Sequence, residues 1–156
     1  MGLEIERKFL IEKDLWYAVK KPSGILIQQA YLVNEPEKVI RIRITDSSGY
    51  LTIKGPTLLS TRSEFEFPVP KTDALQIMDQ FTKVRIEKTR YKIEFEGKIW
   101  EVDEFWGDNE GLIVAEIELK SEDEQFTKPS WIGAEVTADH RYYNSWLSEH
   151  PYLSWK

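Results

Sequence analysis

The sequence predicts a mainly β protein of the α+β class, built on an antiparallel sheet that closes or nearly closes into a barrel. Three observations predict this fold. Apolar and polar residues alternate with a period of two over most of the chain, short turns separate the alternating stretches, and only three segments break the alternation. The 156 residues suit a single domain, residues 1–156, because two domains would each have a thin core.

Eight strands are expected from the alternation. Their predicted bounds are 3–11, 25–33, 38–45, 50–54, 62–69, 84–95, 98–106 and 112–120. Hairpin turns are expected at 46–49, 96–97 and 107–111, each of which contains glycine. Strands at this spacing, mostly joined by short turns, favour an antiparallel barrel.

The three segments that break the alternation are predicted to be helical. Residues 14–21 form a short helix. Residues 72–82 begin at Thr72, a residue suited to an N-cap, and carry Asp73 in the first turn. Residues 138–149 follow Thr137 and end before Pro151, which predicts a C-terminal helix. The helices are therefore few and peripheral to the sheet.

The composition argues against several classes of protein. The formal charge of -6 disfavours a protein that coats DNA or RNA, since such proteins normally carry a basic surplus. The chain has no cysteine, which excludes disulfides and thiol nucleophiles, and its two histidines are too few for a histidine-rich metal site. No apolar run approaches the ~18–20 residues that span a membrane, and the charged N-terminus lacks a signal-peptide core. We therefore expect a cytoplasmic protein without a nucleic-acid or membrane partner.

The polar face of the predicted strands carries acids and bases in ordered pairs. Glu4, Glu6 and Lys8 share one face of the first strand, and Arg41 and Arg43 share one face of the third. Alternation alone allows two arrangements. Either the charges lie outside around an apolar core, as is usual, or they point into a barrel whose apolar outer face is covered by helices or by a partner chain.

The types of charge on this face suggest a chemistry. The arginine guanidinium matches phosphate oxygens with two parallel hydrogen bonds, so rows of arginine and lysine suit a short polyphosphate. Facing carboxylates would repel that anion unless a divalent cation lay between them, and Mg²⁺ takes carboxylate and phosphate oxygens as ligands. The alternative interpretation is that the same residues form cross-strand salt bridges worth roughly 0.2–1 kcal/mol each.

One segment carries a recognisable signature. Residues 4–8 have the form Glu-x-Glu-x-Lys, and six further elements follow in order: Arg41-x-Arg43, Lys54, Arg62-x-Glu64-x-Glu66, Lys88-x-Arg90, Asp103 and Glu116-x-Glu118. In this order they resemble the CYTH superfamily, also called triphosphate tunnel metalloenzymes, over nearly the whole chain. The resemblance implies an eight-stranded antiparallel barrel that forms a tunnel with its charges inside, and divalent-metal-dependent work on triphosphates.

The resemblance also implies roles for individual residues. Triphosphate would be bound by Lys8, Arg41, Arg43, Lys54, Arg62, Lys88 and Arg90. One or two Mg²⁺ or Mn²⁺ ions would be held by Glu4, Glu6, Glu64, Glu66, Asp103, Glu116 and Glu118. Catalysis would involve Lys8, Tyr31, Glu116 and Glu118; Tyr31 would work with Lys8, unless it is a strand aromatic that packs on a neighbour. His140 is expected on a helix surface rather than at a metal.

In length this chain is similar to the small bacterial tripolyphosphatases of that superfamily, which implies hydrolysis of inorganic tripolyphosphate to pyrophosphate and phosphate. The alternatives are a class IV-type adenylate cyclase, a nucleoside or thiamine triphosphatase, and a non-catalytic polyphosphate- or nucleotide-binding module. The outward apolar faces and six tryptophans need cover, from helices or from a second copy, so a monomer or a homodimer is expected. With Glu101 and Lys120 added, the inward set holds equal numbers of acids and bases, which assigns the surplus of -6 to the exterior.

Overall fold

The computed structural model describes residues 2–155, and strands account for most of its regular structure. The strands are β1 (Gly2–Ile11), β2 (Ile25–Glu35), β3 (Lys38–Thr45), β4 (Ser48–Lys54), β5 (Thr61–Val69), β6 (Ile86–Phe95), β7 (Lys98–Phe105), β8 (Ile113–Glu118) and β9 (Ile132–Glu135). The helices are α1 (Lys13–Tyr17), α2 (Lys71–Phe81) and α3 (Asn144–Leu147), with 3-10 turns at Gly107–Asn109, His140–Tyr142 and Tyr152–Ser154.

The first eight strands form a closed antiparallel barrel. Their order is β5-β4-β3-β2-β6-β7-β8-β1, and β1 pairs again with β5 to close the ring. The closing seam is short, running from Gly2 opposite Glu64 to Ile5 opposite Thr61. Beyond it, β9 takes over the same edge of β1, with Phe9 opposite Glu135 and Ile11 opposite Ile132. The predicted eight-stranded barrel is confirmed.

Strand β3 shows which face of the sheet points inward. Ile42 and Ile44 are buried against Ala74 and Met78 of α2, which lies outside the barrel. Because successive side chains of a strand point to opposite faces, the arginines between and before them point into the barrel. The charged face is therefore the interior, and helix α2 supplies cover for the apolar outer face.

A second helix covers an aromatic cluster on another side of the barrel. Trp16 of α1 packs edge-on against Tyr91 and tilted against Trp131, and Phe9 packs edge-on against Trp100. The indole N–H of Trp16 donates to the carboxylate of Glu104 at 2.7 Å, which satisfies the polar atom that this burial encloses. Three of the six tryptophans, Trp16, Trp100 and Trp131, are thus buried in this cluster. A fourth, Trp155, packs against a separate apolar cluster.

One end of the barrel is closed by an apolar layer, which we call the floor. Leu10, Ile86, Phe105 and Val114 continue the inward faces of β1, β6, β7 and β8, and Leu147 of α3 packs against them. Tyr142, Tyr152 and Trp155 of the C-terminal segment complete the cluster. The charged part of the interior therefore ends at the floor, to which both the strands and the C-terminal segment contribute side chains.

The predicted C-terminal helix is present, but it covers only Asn144–Leu147 instead of residues 138–149. The segment forms a 3-10 turn and the four-residue α3. A longer helix does not form because the carbonyl of Tyr142 accepts a hydrogen bond from Lys8 and the side chain of Asn144 accepts one from Gln29, both across the end of the barrel.

The prediction of Thr72 as N-cap is wrong, since α2 starts at Lys71 with Pro70 in the cap position. Helix α1 ends at Tyr17, four residues earlier than predicted.

Strand β9 was not predicted from the sequence. It has only four residues, includes Gly133 and shows no clear alternation. Its pairing with β1 is reinforced by Arg7, whose Nε and Nη2 donate to the two carboxylate oxygens of Glu135 at 2.8 and 2.5 Å.

Among residues 2–155, none of the helices has the length and hydropathy that a membrane crossing requires.

Candidate active site

The barrel encloses a cavity of about 260 Å³ above the floor. Its lining is dominated by charged side chains from β1, β3, β4, β5, β6 and β8. The lining includes every residue predicted for binding, metal ligation or catalysis except Asp103: Glu4, Glu6, Lys8, Tyr31, Arg41, Arg43, Lys54, Arg62, Glu64, Glu66, Lys88, Arg90, Glu116 and Glu118. The structure thus brings together residues spread over 115 positions of the chain.

The closing seam places acids and bases from three strands side by side. Lys54 of β4 donates to both carboxylate oxygens of Glu4, at 3.0 and 3.2 Å, and lies 3.9 Å from Glu64. The register explains this contact, since Lys54 is opposite Glu64 and Glu4 is opposite Arg62. Arg62 in turn donates from Nε and Nη2 to the carbonyl of Gly55, which holds its guanidinium at the rim.

The guanidinium of Arg41 is positioned by contacts with a threonine and a glutamate. Its Nη2 donates to the hydroxyl of Thr52 at 3.0 Å and contacts Glu66 at 3.4 Å, while that hydroxyl donates to the same carboxylate at 2.7 Å. Nε of Arg41 is buried and has no hydrogen-bond acceptor among the described residues. A buried cationic N–H without an acceptor is costly, so the position of Arg41 is not explained by its contacts with Thr52 and Glu66 alone.

Asp103 lies behind the cavity wall and organises two of the cations. It is 1% exposed and accepts from Lys88 at 2.8 Å and from Arg90 at 2.8 and 2.9 Å. Burial alone would raise the pKa of this carboxyl, but Arg90 and Lys88 outweigh burial and hold the pKa far below its usual range. As a metal ligand Asp103 stays a prediction; in the structure its oxygens are occupied by these two cations.

Two carboxylates and a lysine form a coupled group across β1 and β8. Lys8 lies opposite Glu116 and Glu6 lies opposite Glu118 in the register of these strands. Burial and the neighbouring Glu116 and Glu4 raise the pKa of Glu6 well above its ordinary value. Against the effect of burial, Lys8 and a hydrogen bond from Glu6 lower the pKa of Glu116 to about 2. A cation bound nearby would therefore favour the charged form of Glu6.

The C-terminal segment reaches Lys8 near the floor. Nζ of Lys8 donates to the backbone carbonyl of Tyr142 at 3.2 Å and lies 4.9 Å from the ring centre of Tyr143. The backbone N–H of Lys8 donates to the hydroxyl of Thr137 at 2.9 Å. Tyr31 lines the same end of the cavity. The two residues predicted to act together therefore share one end of the cavity.

Gln29 and Asn144 join this site, and neither was predicted from the sequence. Oε1 of Gln29 accepts from Nε and Nη2 of Arg43 at 3.1 and 2.9 Å. Nε2 of Gln29 donates to the hydroxyl oxygen of Tyr31 at 3.0 Å and to Oδ1 of Asn144 at 3.1 Å, and Oδ1 also accepts from Lys88 at 2.9 Å. The only sequence feature that marks Gln29 is an amide on the inward face of a strand between Ile27 and Tyr31.

Three further predicted residues lie away from the cavity. Glu101 is near the end of the barrel opposite the floor, 3.4 Å from Arg90, and Lys120 is exposed beyond β8. His140 lies outside the site, edge-on to Trp146 at 4.5 Å between ring centres, on a 3-10 turn instead of a helix. Because Glu101 and Lys120 carry opposite charges, the inward set without them still holds equal numbers of acids and bases, with Asp103 counted.

The donor set of the cavity fits a hard divalent cation. Six glutamates face the cavity, and carboxylate oxygens are the ligands that Mg²⁺ and Mn²⁺ prefer. Burial and the neighbouring Glu116 and Glu4 disfavour the charged form of Glu6, and a bound cation would offset these effects. Within residues 2–155 they form no ready-made group of three around one point. This arrangement suits Mg²⁺, which usually takes one or two carboxylates together with substrate phosphate oxygens.

A comparison with known families decides where this barrel belongs. The CYTH domain profile matches residues 2–147, which is nearly the whole chain. The chain belongs to the CYTH family. The match includes β1 through α3, so the CYTH domain comprises the barrel, strand β9 and the segment that closes the floor.

Curated relatives of this CYTH domain are similar over their full length. An inorganic triphosphatase of Acetivibrio thermocellus is 46% identical over 157 residues, covering 100% of this chain and 99% of that protein. An inorganic triphosphatase of Nitrosomonas europaea is 33% identical over 149 residues, covering 93% of this chain and 96% of that protein.

Solved structures agree with the CYTH assignment. The inorganic triphosphatase NE1496 superposes with a TM-score of 0.65 at 31% identity, covering 95% of each chain. A putative adenylate cyclase from Bacillus halodurans superposes with a TM-score of 0.62 at 19% identity, covering 79% of this chain and 84% of that one. The second likeness shows a shared fold only.

Proposed function

We propose that this CYTH protein hydrolyses a phosphoanhydride bond of a triphosphate, and that its substrate is inorganic tripolyphosphate, released as pyrophosphate and phosphate. The observation that carries the proposal is a cavity in which seven cationic side chains face six carboxylates above a closed floor. Two relatives that match over their full length are named inorganic triphosphatases. The lining holds few apolar groups for a nucleobase or a thiazole ring, which favours an inorganic substrate.

The cations bind and neutralise the phosphates. Arg41, Arg43, Lys54, Arg62, Lys88 and Arg90 line the same space. Burial, with Arg41 and Arg90 nearby, lowers the pKa of Arg43 to about 9, so an anion bound beside Arg43 would offset these effects and stabilise its charged form. Positioning and charge neutralisation contribute most of the catalysis in phosphoryl transfer.

We propose that the activity depends on Mg²⁺ or Mn²⁺, held by some of the glutamates Glu4, Glu6, Glu64, Glu66, Glu116 and Glu118, with Asp103 as a further candidate. Such an ion bound to phosphate oxygens supplies charge stabilisation and can acidify a water. The carboxylates give up their salt-bridge partners to the phosphates: Lys54 leaves Glu4, and Arg41 leaves Glu66. The exchange converts ion pairs inside the cavity into contacts with the substrate.

We assign proton transfer to the glutamates of β8, and charge stabilisation to the pair Lys8 and Tyr31. Burial and the neighbouring Glu4 and Glu101 raise the pKa of Glu118, which makes it the better proton acceptor for an attacking water than Glu116. Lys8 and Tyr31 lie at the floor end, where they can stabilise charge on a phosphate oxygen. The water would therefore attack from the open half of the cavity.

The test is phosphate release from inorganic tripolyphosphate with Mg²⁺ or Mn²⁺, compared with ATP, thiamine triphosphate and pyrophosphate. We expect Glu118→Gln to lower kcat by about 10²-fold or more, since it removes the proton acceptor, and Arg43→Ala to act mainly on KM. Glu87→Gln, the same change on the exposed outer face, is the control and should leave both constants unchanged. Wild-type turnover by Glu118→Gln would overturn its role.

The remaining alternatives are separated by the same assays. Cyclic AMP formed from ATP would identify a cyclase, and tight triphosphate binding without phosphate release would identify a binding module. We expect the enzyme to act in the cytoplasm as a monomer or homodimer without nucleic-acid or membrane partners, which agrees with the acidic exterior. Size-exclusion chromatography with light scattering measures the oligomeric state.

A further inference from the structure

Gln29 lies at the centre of the hydrogen bonds near the floor although it bears no charge. Its side chain is 0% exposed, and it links β2 to Arg43 of β3 and to Asn144 of the C-terminal segment. Its position opposite Arg43 in the strand register fixes the contact between these two side chains. A buried amide in this place joins three separate parts of the cavity wall.

The amide of Gln29 has no capacity left for a ligand. A carboxamide offers two lone pairs and two hydrogens. Oε1 accepts twice from Arg43, and Nε2 donates once to Tyr31 and once to Asn144. The orientation of the amide is determined, because a guanidinium can only donate and must therefore face the oxygen. Any effect of Gln29 on the reaction must pass through the residues it holds.

The contact with Arg43 fixes one edge of the guanidinium. Nε–H and one hydrogen of Nη2 are used by Gln29, which leaves the other N–H groups for the cavity that Arg43 lines. Arg41 and Arg90 are close enough to repel Arg43. Without the amide oxygen, this repulsion would favour other rotamers of a long and flexible side chain.

The contact with Tyr31 determines the direction of a proton. Because Gln29 donates to the phenolic oxygen, the hydroxyl hydrogen of Tyr31 cannot point at Gln29. Tyr31 lines the cavity, so the hydroxyl hydrogen is available to a group bound there. A carboxylate at position 29 would reverse this arrangement, since a carboxylate can only accept.

We infer that Gln29 is a positioning residue of the active site, which anchors Arg43 against the substrate and obliges the Tyr31 hydroxyl to donate into the cavity. The inference rests on the proposed function for its substrate. It assigns the two halves of one amide to two steps: the oxygen to substrate binding through Arg43, and the nitrogen to turnover through Tyr31.

Two substitutions separate these halves. Gln29→Met keeps the volume but removes both the acceptor for Arg43 and the donor to Tyr31, so we expect KM for tripolyphosphate to rise about 10-fold and kcat to fall as well. Gln29→Glu keeps an acceptor for Arg43 but draws the Tyr31 hydrogen to its carboxylate. We expect kcat to fall about 10-fold or more while KM changes less.

A double-mutant cycle tests the route through Tyr31. In a Tyr31→Phe background, Gln29→Glu should lower kcat no further, because the hydrogen it redirects is already gone. Gln28→Glu, the same change at the neighbouring position on the other face of β2, is the matched control and should leave kcat and KM unchanged. Losses that add in full, or Gln29 variants that behave like the control, would overturn the inference.

A binding experiment keeps this test apart from the proposed reaction. Calorimetric titration with tripolyphosphate should show about 10-fold weaker binding to Gln29→Met than to Gln29→Glu, whether or not phosphate is released. In the unmutated protein, the Arg43 Nε–H signal in NMR, assigned by its loss in Arg43→Lys, should exchange slowly without ligand. A fast-exchanging signal would overturn the anchoring even if the Gln29 variants failed to fold.

Discussion

Asp103 is the residue on which the cationic wall of the cavity depends. It lies between Lys88 and Arg90, which are themselves almost completely buried. Loss of the Asp103 charge would leave buried Lys88 without a charged partner among the described residues, and an uncompensated buried charge is costly. The same residue therefore serves folding and the placement of two cations that we propose bind phosphate.

Replacing this carboxylate should destabilise the protein strongly. We expect Asp103→Asn to lower the free energy of unfolding by about 3–5 kcal/mol, because buried Lys88 loses its charged partner and Arg90 keeps only Glu101 within residues 2–155. Urea denaturation followed by circular dichroism measures the change. Asp108→Asn removes an exposed carboxylate from the turn that follows β7 and should alter stability by no more than about 0.5 kcal/mol. Equal effects of the two substitutions would contradict this role.

The contribution of Asp103 should also depend on pH in a defined direction. Its pKa is depressed in the folded protein relative to the ordinary value of 3.8, so its stabilising effect is complete above that value and is lost as the pH falls below it. The free energy of unfolding of the wild type should therefore exceed that of Asp103→Asn by the largest amount at neutral pH, and by a smaller amount at about pH 3.

Among single residues, charge was predictable from the sequence and neutral polar groups were not. Alternation placed Arg41 and Arg43 on one face of their strand and Glu64 and Glu66 on one face of theirs, and all four line the cavity in the structure. Gln29 lies on the same inward face, but an isolated amide carries no pattern that distinguishes it from an ordinary strand residue. Its importance comes from neighbours that only the folded chain brings together.

Among the elements, the C-terminal segment shows why a predicted helix can be shorter in the structure. The helix between Thr137 and Pro151 was predicted from these boundary residues, but the groups of this segment find partners in the barrel. The carbonyl of Tyr142 accepts from Lys8, and the side chain of Asn144 binds Gln29 and Lys88. Such tertiary contacts override local propensity, which is worth only a few tenths of a kcal/mol per residue. The strands were predictable because their alternation comes from the barrel itself.

The same segment should contribute stability through its contact with the floor. Leu147 is 1% exposed in the floor cluster, whereas Leu153 is 63% exposed a few residues later. We expect Leu147→Ala to lower the free energy of unfolding by about 2–5 kcal/mol, and Leu153→Ala to change it by no more than about 0.5 kcal/mol. Urea denaturation of the two variants checks the difference. A small effect of Leu147→Ala would show that the segment is only loosely docked.

At the scale of the whole molecule, the two surfaces of the barrel carry different charge. The inward set is balanced, so the surplus of -6 belongs to the exterior. Net charge alone would have suggested a protein that avoids anions. Sorting the charges by strand face predicted the balanced interior, but the assignment of that face to the interior came from family resemblance and is confirmed by the packing of α2 against β3.

Ligand binding should stabilise the barrel unevenly. Arg62, Glu64 and Glu4 flank the short seam between β1 and β5, so a ligand that contacts them bridges the seam. We expect tripolyphosphate with Mg²⁺ to slow amide hydrogen exchange in residues 2–5 and 61–64 more than in β3, because binding suppresses the local opening of the least extensively paired edge. The measurement uses Glu118→Gln protein to prevent turnover. Equal slowing in β3 would contradict the prediction.

The short seam also has a consequence for self-association. Among residues 2–155, β1 pairs with β5 only as far as Glu64, so residues 65–69 of β5 have a partner strand on the β4 side alone. Exposed Phe65 and Phe67 lie in this stretch, which is the composition that invites intermolecular strand addition. Pro68 follows directly and offers no N–H to an incoming strand. The proline therefore protects the molecule against aggregation at the one edge that barrel closure leaves incomplete within residues 2–69.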